Sequence, residues 1–157
     1  MTKRVCWNWL ASFLLVLLAL AVACGSDGPN GAVEGDSGNA ADSERVTVAD
    51  GAYYQIAPQP LDAMLRSEGF PLVNVHVPYE GEIEGTDLFI PYDQIAQTLS
   101  DLPADKASKV VLYCRSGRMS AIAAATLVDE GYTNVWDLKG GMIAWEEAGY
   151  PLVRIEP

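Results

Sequence analysis

Hydrophobic positions along this chain fall into three regimes. From Trp9 to Ala23 they run almost unbroken, as WLASFLLVLLALAVA. From Gly25 to Glu44 they nearly vanish, and Val33 is the one aliphatic residue there larger than Ala. From about Arg45 onward they return in short bursts with recognisable periods. Ala52–Ile56 (AYYQI) predicts a short strand. Gln59–Ser67 carries Leu61, Met64 and Leu65 at helical spacing and stops before Gly69. Pro71–Val77 (PLVNVHV) reads as a buried strand ended by Pro78, and Asp87–Ile90 as a shorter one before Pro91. Tyr92–Leu99, with Ile95 and Leu99 four apart, predicts a helix. Lys109–Tyr113 (KVVLY) is Val-rich and bounded by polar residues, which predicts a strand. Met119–Glu130 (MSAIAAATLVDE) has so little polar surface that it predicts a largely buried helix, closed by Gly131. Asn134–Leu138 (NVWDL) predicts a strand, and Gly140–Ala148 a helix carrying Met142, Ile143 and Trp145. Strands alternating with helices give an α/β fold: a central parallel sheet of about five strands with helices on both faces.

The first two regimes lie outside that fold. Lys3 and Arg4 precede the long apolar run, which is short of the roughly 20 residues that a spanning helix needs and suits a secretory signal. The run ends in Ala21-Val22-Ala23-Cys24, which resembles the bacterial lipoprotein processing site, where small residues precede a cysteine that is lipidated before cleavage. An uncleaved anchor, or an ordinary cleavage site that leaves Cys24 free, are the competing readings. The Gly-, Ser-, Asn- and Asp-rich stretch that follows cannot bury enough apolar surface to offset chain entropy, so it reads as a flexible tether. The expected organisation is a signal peptide over 1–23, a lipidated Cys24 with its tether over 24–45, and a folded domain over 46–157. That places the domain outside the cytoplasm, in a bacterial cell envelope, lipid-anchored to a membrane.

Charge and cysteine usage narrow the chemistry. The chain has 10 Lys+Arg against 21 Asp+Glu, a formal charge of -11. Nucleic acid is excluded as a partner, because phosphate binding needs a basic surface. Of 3 cysteines, Cys6 would leave with the signal and Cys24 would be alkylated, so Cys114 would be the last free thiol. A disulfide framework is then excluded, as is a zinc site, with 1 His in the chain. A lone thiol in an oxidising compartment asks for a reason.

Cys114 follows the strand KVVLY and precedes the buried helix, in the stretch YCRSGRMS. Sites in parallel α/β sheets form at the carboxyl ends of strands. Backbone N–H groups of the loop Cys114–Met119 would converge there with a helix N-terminus behind them, an anion cradle made of main chain. Gly117 lets the loop curl. Amides and the guanidinium groups of Arg115 and Arg118 would favour a thiolate at Cys114 and hold an anionic co-substrate. The competing reading is a buried structural cysteine with two solvent-facing arginines.

The stretch YCRSGRMSAIAAATLVDEGYTNVWDLKGGMIAWEEAGYPL resembles the carboxyl half of a rhodanese domain, including the loop that opens with cysteine and a G-G-x-x-x-W helix at Gly140, Gly141 and Trp145. Upstream, LVNVHVPYEGEIEGTDLFIP is similar to the same family more loosely. The resemblance spans roughly Tyr53 to Val153. It implies a sulfurtransferase that takes a sulfane sulfur from a donor such as thiosulfate onto Cys114 as a persulfide and passes it to a thiophilic acceptor. Arg115, Ser116, Gly117, Arg118 and Met119 match the substrate-binding loop. Neither metal nor organic cofactor is implied. The partners implied are a small sulfur-containing anion or low-molecular-weight thiol and, for the acceptor, a protein thiol. This chain departs from the family pattern at several points. Met119 stands where many members have Arg, Asn74 where Asp is common, His76 where Arg is common, and Glu82 replaces a usual His. His76 is expected to be a structural substitution at a strand end rather than a catalytic base. Glu80, Glu82, Glu84 and Asp87 are expected in a solvated acidic loop near the mouth. Two other functions compete. A cysteine phosphatase needs C-x5-R, and Ser120 occupies the arginine's place. A non-enzymatic module that carries persulfide, or binds a partner protein at the membrane surface, fits the acidic rim.

Overall fold

The computed structural model describes residues 43–154. The signal-like run, Cys24 and nearly all of the expected tether lie outside the described residues. Among the described residues, no helix is long and apolar enough to cross a membrane.

A hairpin opens the domain: β1 (Ser43–Val48) pairs antiparallel with β2 (Gly51–Ile56). β1 takes in Ser43–Arg45, which composition alone assigns to the tether. It is held because Val46 and Val48 turn inward against the core while Glu44, Arg45 and Thr47 stay in solvent. Then follow α1 (Pro58–Ser67), β3 (Leu72–Asn74), β4 (Glu82–Ile83), β5 (Leu88–Phe89), β6 (Val110–Tyr113), α2 (Arg118–Asp129), β7 (Val135–Leu138), α3 (Gly141–Glu147) and β8 (Leu152–Val153). The main sheet has 6 strands in the order β1-β2-β7-β6-β3-β5. Every pairing within it except β1–β2 is parallel. β4 and β8 form a separate antiparallel pair.

Strand periodicity divides the core into two layers. Val110 and Leu112 of β6 face one side with Val73, Val75 and the α2 residues Ala123, Ala124 and Leu127. Val111 and Tyr113 face the other with Leu61 and Met64 of α1 and Met142 and Trp145 of α3. Because successive side chains point to opposite faces, an all-apolar strand such as VVLY can only be satisfied when helices cover both. All four of its residues are buried.

Two elements differ from expectation. The strand in PLVNVHV stops at Asn74, because the Asn74 side chain takes over the backbone: its Oδ1 accepts the His76 N–H at 3.0 Å, and its Nδ2 donates to the Gly81 carbonyl at 3.0 Å. An aspartate could not make the second bond, so asparagine suits this position. The helix expected over Tyr92–Leu99 is instead a pair of 3-10 turns, Ile95–Gln97 and Leu99–Asp101. Ile95 is fully buried, while the Thr98 hydroxyl bonds the carbonyls of Gln94 and Ile95. Such local side-chain bonds compete with a regular helix.

Tyr113 ties the end of β6 to the upstream loop. Its phenol oxygen accepts the Ile83 N–H at 3.0 Å and lies 2.7 Å from Thr86 Oγ1. Thr86 gives its own proton to the Ile83 carbonyl at 2.7 Å, so the phenol donates to Thr86. Burial pushes the phenol up to about 12, opposed by these hydrogen bonds.

Candidate active site around Cys114

Cys114 is the first residue beyond β6, at the carboxyl end of a central strand, and is 1% exposed. The chain turns sharply behind it. Gly117, with φ 85°, caps α2, and a Cβ there would lie 3.2 Å from the Gly140 nitrogen. This turn aims the Gly117 N–H at Cys114 Sγ, 3.1 Å away. The Ser120 hydroxyl, in the first turn of α2, donates to the same sulfur at 3.5 Å.

The carbonyl side of the loop is held by α3. Met142 N–H donates to the Cys114 carbonyl at 2.9 Å and Ile143 N–H to the Arg115 carbonyl at 3.0 Å. These are N–H groups at the start of a helix, which have no partner inside it. They can reach the loop only because Gly141 has no side chain.

The loop residues named from sequence are brought to one turn, with different surroundings. Ser116 and Arg118 are exposed, and Arg118 makes no ion pair among the described residues. Arg115 turns away from the sulfur: its Nε donates to Glu80 Oε2 at 2.9 Å. Glu80 Oε1 lies 3.6 Å from His76 Nε2. Among the described residues, the groups hydrogen-bonded to the sulfur are one amide and one hydroxyl. Met119 packs half-buried against the α2 core instead of presenting a cation. His76 is 7% exposed, with neither ring nitrogen hydrogen-bonded. A cleft of about 140 Å³ opens beside Arg115, lined also by Glu80, Ile143, Glu146 and Arg154.

Asp137 was not singled out from sequence, and Ser120 and Gly141 were named there only as motif positions, without the contacts they make here. The signal for Asp137 was a carboxylate in the middle of a strand otherwise apolar. Asp137 is 0% exposed. Its Oδ2 accepts from Gln55 Nε2 at 3.0 Å, and its Oδ1 has no hydrogen-bond partner. Burial pushes its carboxyl up to about 6, while Ser120 and Gln55 favour its charged form. The Ser120 hydroxyl is hydrogen-bonded to the sulfur and not to Oδ1.

Residues 58–148 match the family model described as rhodanese-like domain. A protein named sulfurtransferase from Allochromatium vinosum is 40% identical over 93 residues, covering 57% of this chain and 84% of that protein. Among solved structures, a rhodanese-related protein from Thermoplasma volcanium superposes with a TM-score of 0.54 at 28% identity, over 63% of this chain and 96% of that one. A protein from Rhodopseudomonas palustris described as a possible tyrosine phosphatase superposes with a TM-score of 0.52 at 27% identity, over 61% of this chain and 81% of that one.

Proposed function

The chain belongs to the rhodanese-like domain family, and from that premise we propose that it is a sulfurtransferase working through a persulfide on Cys114. The observation that carries this reading is the position of Cys114 Sγ, buried at the end of β6 and already accepting an N–H from its own loop. As a thiolate it attacks the outer sulfur of thiosulfate. A new S–S bond forms on Cys114 and the bond to the sulfonate sulfur breaks, with sulfite leaving with the electron pair. A nucleophile such as cyanide or a thiolate then takes the outer sulfur and returns Cys114 to a thiolate. The N–H groups at the start of α2 face developing negative charge on the transferred sulfur, and exposed Arg118 supplies a cation for the incoming anion. Ser116 and Met119 flank that approach, and no cofactor enters either step.

Intact-mass measurement of the full chain after exposure to thiosulfate tests this: the expected product carries one added sulfur, lost on adding cyanide. No added sulfur with thiosulfate or with a persulfide donor would end the sulfurtransferase reading. Sulfur uptake without turnover would instead mark a carrier that delivers persulfide to a protein thiol. A phosphatase reading gains nothing from Ser120, which cannot close around a phosphate as arginine does.

Glu80 sets the expected donor preference. It occupies the Arg115 guanidinium at the mouth, so Glu80→Gln should release that cation to thiosulfate. An exposed pair of this kind contributes about 0.2–1 kcal/mol, so KM for thiosulfate should fall by about 1.4-fold to fivefold with kcat little changed. An unchanged KM would place Arg115 outside the donor's path.

Localisation belongs to the same proposal. The motif Ala21-Val22-Ala23-Cys24 and the polar stretch after it support a lipid on Cys24 that holds the domain at an envelope membrane. Cys24→Ser should move the protein from the membrane to the soluble fraction. Continued membrane retention would point to an uncleaved apolar anchor.

A further inference from the structure

Glu80 stands between two side chains and is bonded to one of them. Its Oε2 accepts from Arg115 Nε at 2.9 Å, while its Oε1 lies 3.6 Å from His76 Nε2, beyond hydrogen-bond reach. The backbone builds this arrangement. β3 and β6 pair with Asn74 opposite Tyr113, so His76 and Arg115 leave the sheet side by side, each two residues further on. Asn74 fixes the remaining corner. Its Oδ1 accepts the His76 N–H and its Nδ2 donates to the Gly81 carbonyl, each at 3.0 Å, which brings the loop carrying Glu80 back to the imidazole.

The three side chains differ in freedom. Those of Arg115 and Glu80 are exposed, whereas that of His76 is 9% exposed. Arginine can therefore swing away, and histidine cannot. Both His76 ring nitrogens are buried without a hydrogen-bond partner. An imidazole carries an N–H on at least one of them. A buried donor without an acceptor is costly, and Glu80 Oε1 faces it, short of a bond by about 0.7 Å. The imidazole is an unfilled seat for the carboxylate.

An anionic donor that takes Arg115 strips Glu80 of its cation, and a bare carboxylate beside the incoming anion repels it. We propose that His76 is the second seat of Glu80: when the oxyanion of a sulfur donor takes Arg115, the carboxylate closes onto His76 Nε2–H, and it returns to Arg115 when the anion leaves. No covalent bond changes. Arg115 Nε–H passes from Glu80 to the anion, and His76 Nε2–H gains the acceptor it lacks. The second seat eases the opening of the mouth for donors that bring an oxyanion to replace the carboxylate, and it does nothing for uncharged donors. His76 touches no reacting atom and acts through Glu80, so it is a positioning residue that sets donor specificity. This role deepens the proposed reaction and rests on it; the first arm of its test uses no sulfur donor, so either can fail alone.

The chain has 1 His, so the ring signals of His76 are identified without further assignment. The first arm is proton–nitrogen NMR of the full chain in detergent micelles, without ligand, comparing wild type with Arg115→Gln. Loss of the guanidinium should send Glu80 to the histidine, and the Nε2 proton should move downfield as its hydrogen bond forms. Adding Glu80→Ala to Arg115→Gln should remove that shift. Both substituted side chains are exposed, so these variants keep the fold. Indistinguishable His76 signals in wild type and Arg115→Gln would overturn the proposal. The second arm is kinetic. His76→Phe should raise KM for thiosulfate about twofold to tenfold with kcat little changed, the scale of one hydrogen bond. In a Glu80→Gln background, with no carboxylate to seat, the same substitution should leave KM unchanged. An equal rise in both backgrounds, or no rise in the first, would overturn the proposal. Where His76→Phe does not fold, the NMR arm decides alone.

Discussion

Gly141→Ala is expected to cost about 3–8 kcal/mol of stability and to cut sulfur uptake at Cys114 more than about tenfold. A Cβ at Gly141 would stand 2.2 Å from the Cys114 carbonyl oxygen and 2.8 Å from both the carbonyl carbon and oxygen of Arg115. All three are backbone atoms, so no flexible side chain can swing away. Relief requires the start of α3 to separate from the loop, and that breaks the Met142 and Ile143 bonds to the same two carbonyls. Two lost backbone bonds at about 1–3 kcal/mol each set the scale. The left-handed backbone at this position, φ +60°, adds a further term of about 1–2 kcal/mol. Gly149→Ala separates the two causes. Its φ is +90°, but nothing lies within 4 Å of the added methyl. It should lose only the conformational term, about 1–2 kcal/mol, with sulfur uptake intact. Urea unfolding of both variants makes the comparison. Equal losses would mean that the α3 contact does not hold the Cys114 loop.

That contact explains why the site was only half legible in the sequence. The strand–cysteine–glycine–helix order around Cys114 is local, and a Val-rich run followed by Ala-rich helical spacing announces it without any tertiary information. The supports are not local. Met142 lies far from Cys114 along the chain, and its role depends on an N–H direction rather than on residue type. Glu80 was legible as part of an acidic loop, but not as the partner that draws Arg115 off the sulfur, because that pairing needs β3 and β6 side by side. Asp137 is the instructive case. Within NVWDL it breaks the apolar run that a parallel strand requires, and a break of that kind marks either a mistaken strand or a buried group with a task. The strand is real, since β7 pairs with β2 and β6 on its two sides. β1 was hidden for the opposite reason: its alternating R-V-T-V is ordinary strand pattern, but it joins a polar stretch whose composition dominates. The Tyr92–Leu99 spacing was read incorrectly as α-helical, because two apolar positions four apart cannot fix the hydrogen-bond register against Thr98.

Cys114→Ser should abolish sulfur uptake, with thiosulfate–cyanide turnover at least about 10³-fold below wild type. The fold should survive. A serine hydroxyl can accept the Gly117 N–H that now reaches sulfur at 3.1 Å and can exchange a hydrogen bond with Ser120. The stability change should therefore stay within about 1–2 kcal/mol, the scale of replacing one buried, bonded group by another of similar shape. The chemistry does not survive, because a hydroxyl at neutral pH is not ionised and a bond from oxygen to sulfur cannot replace the persulfide. The substitution is informative because Cys6 and Cys24 are the only other cysteines in the sequence. If the full-length variant still gains sulfur, the gain must sit at one of those two, and peptide mass analysis names which. If it gains none but turnover persists, thiosulfate is being attacked without a covalent intermediate, and the burial of Cys114 would then serve packing alone. Loss of uptake and turnover together, with near-wild-type unfolding, is the outcome that ties the sulfur-transfer step to this one side chain.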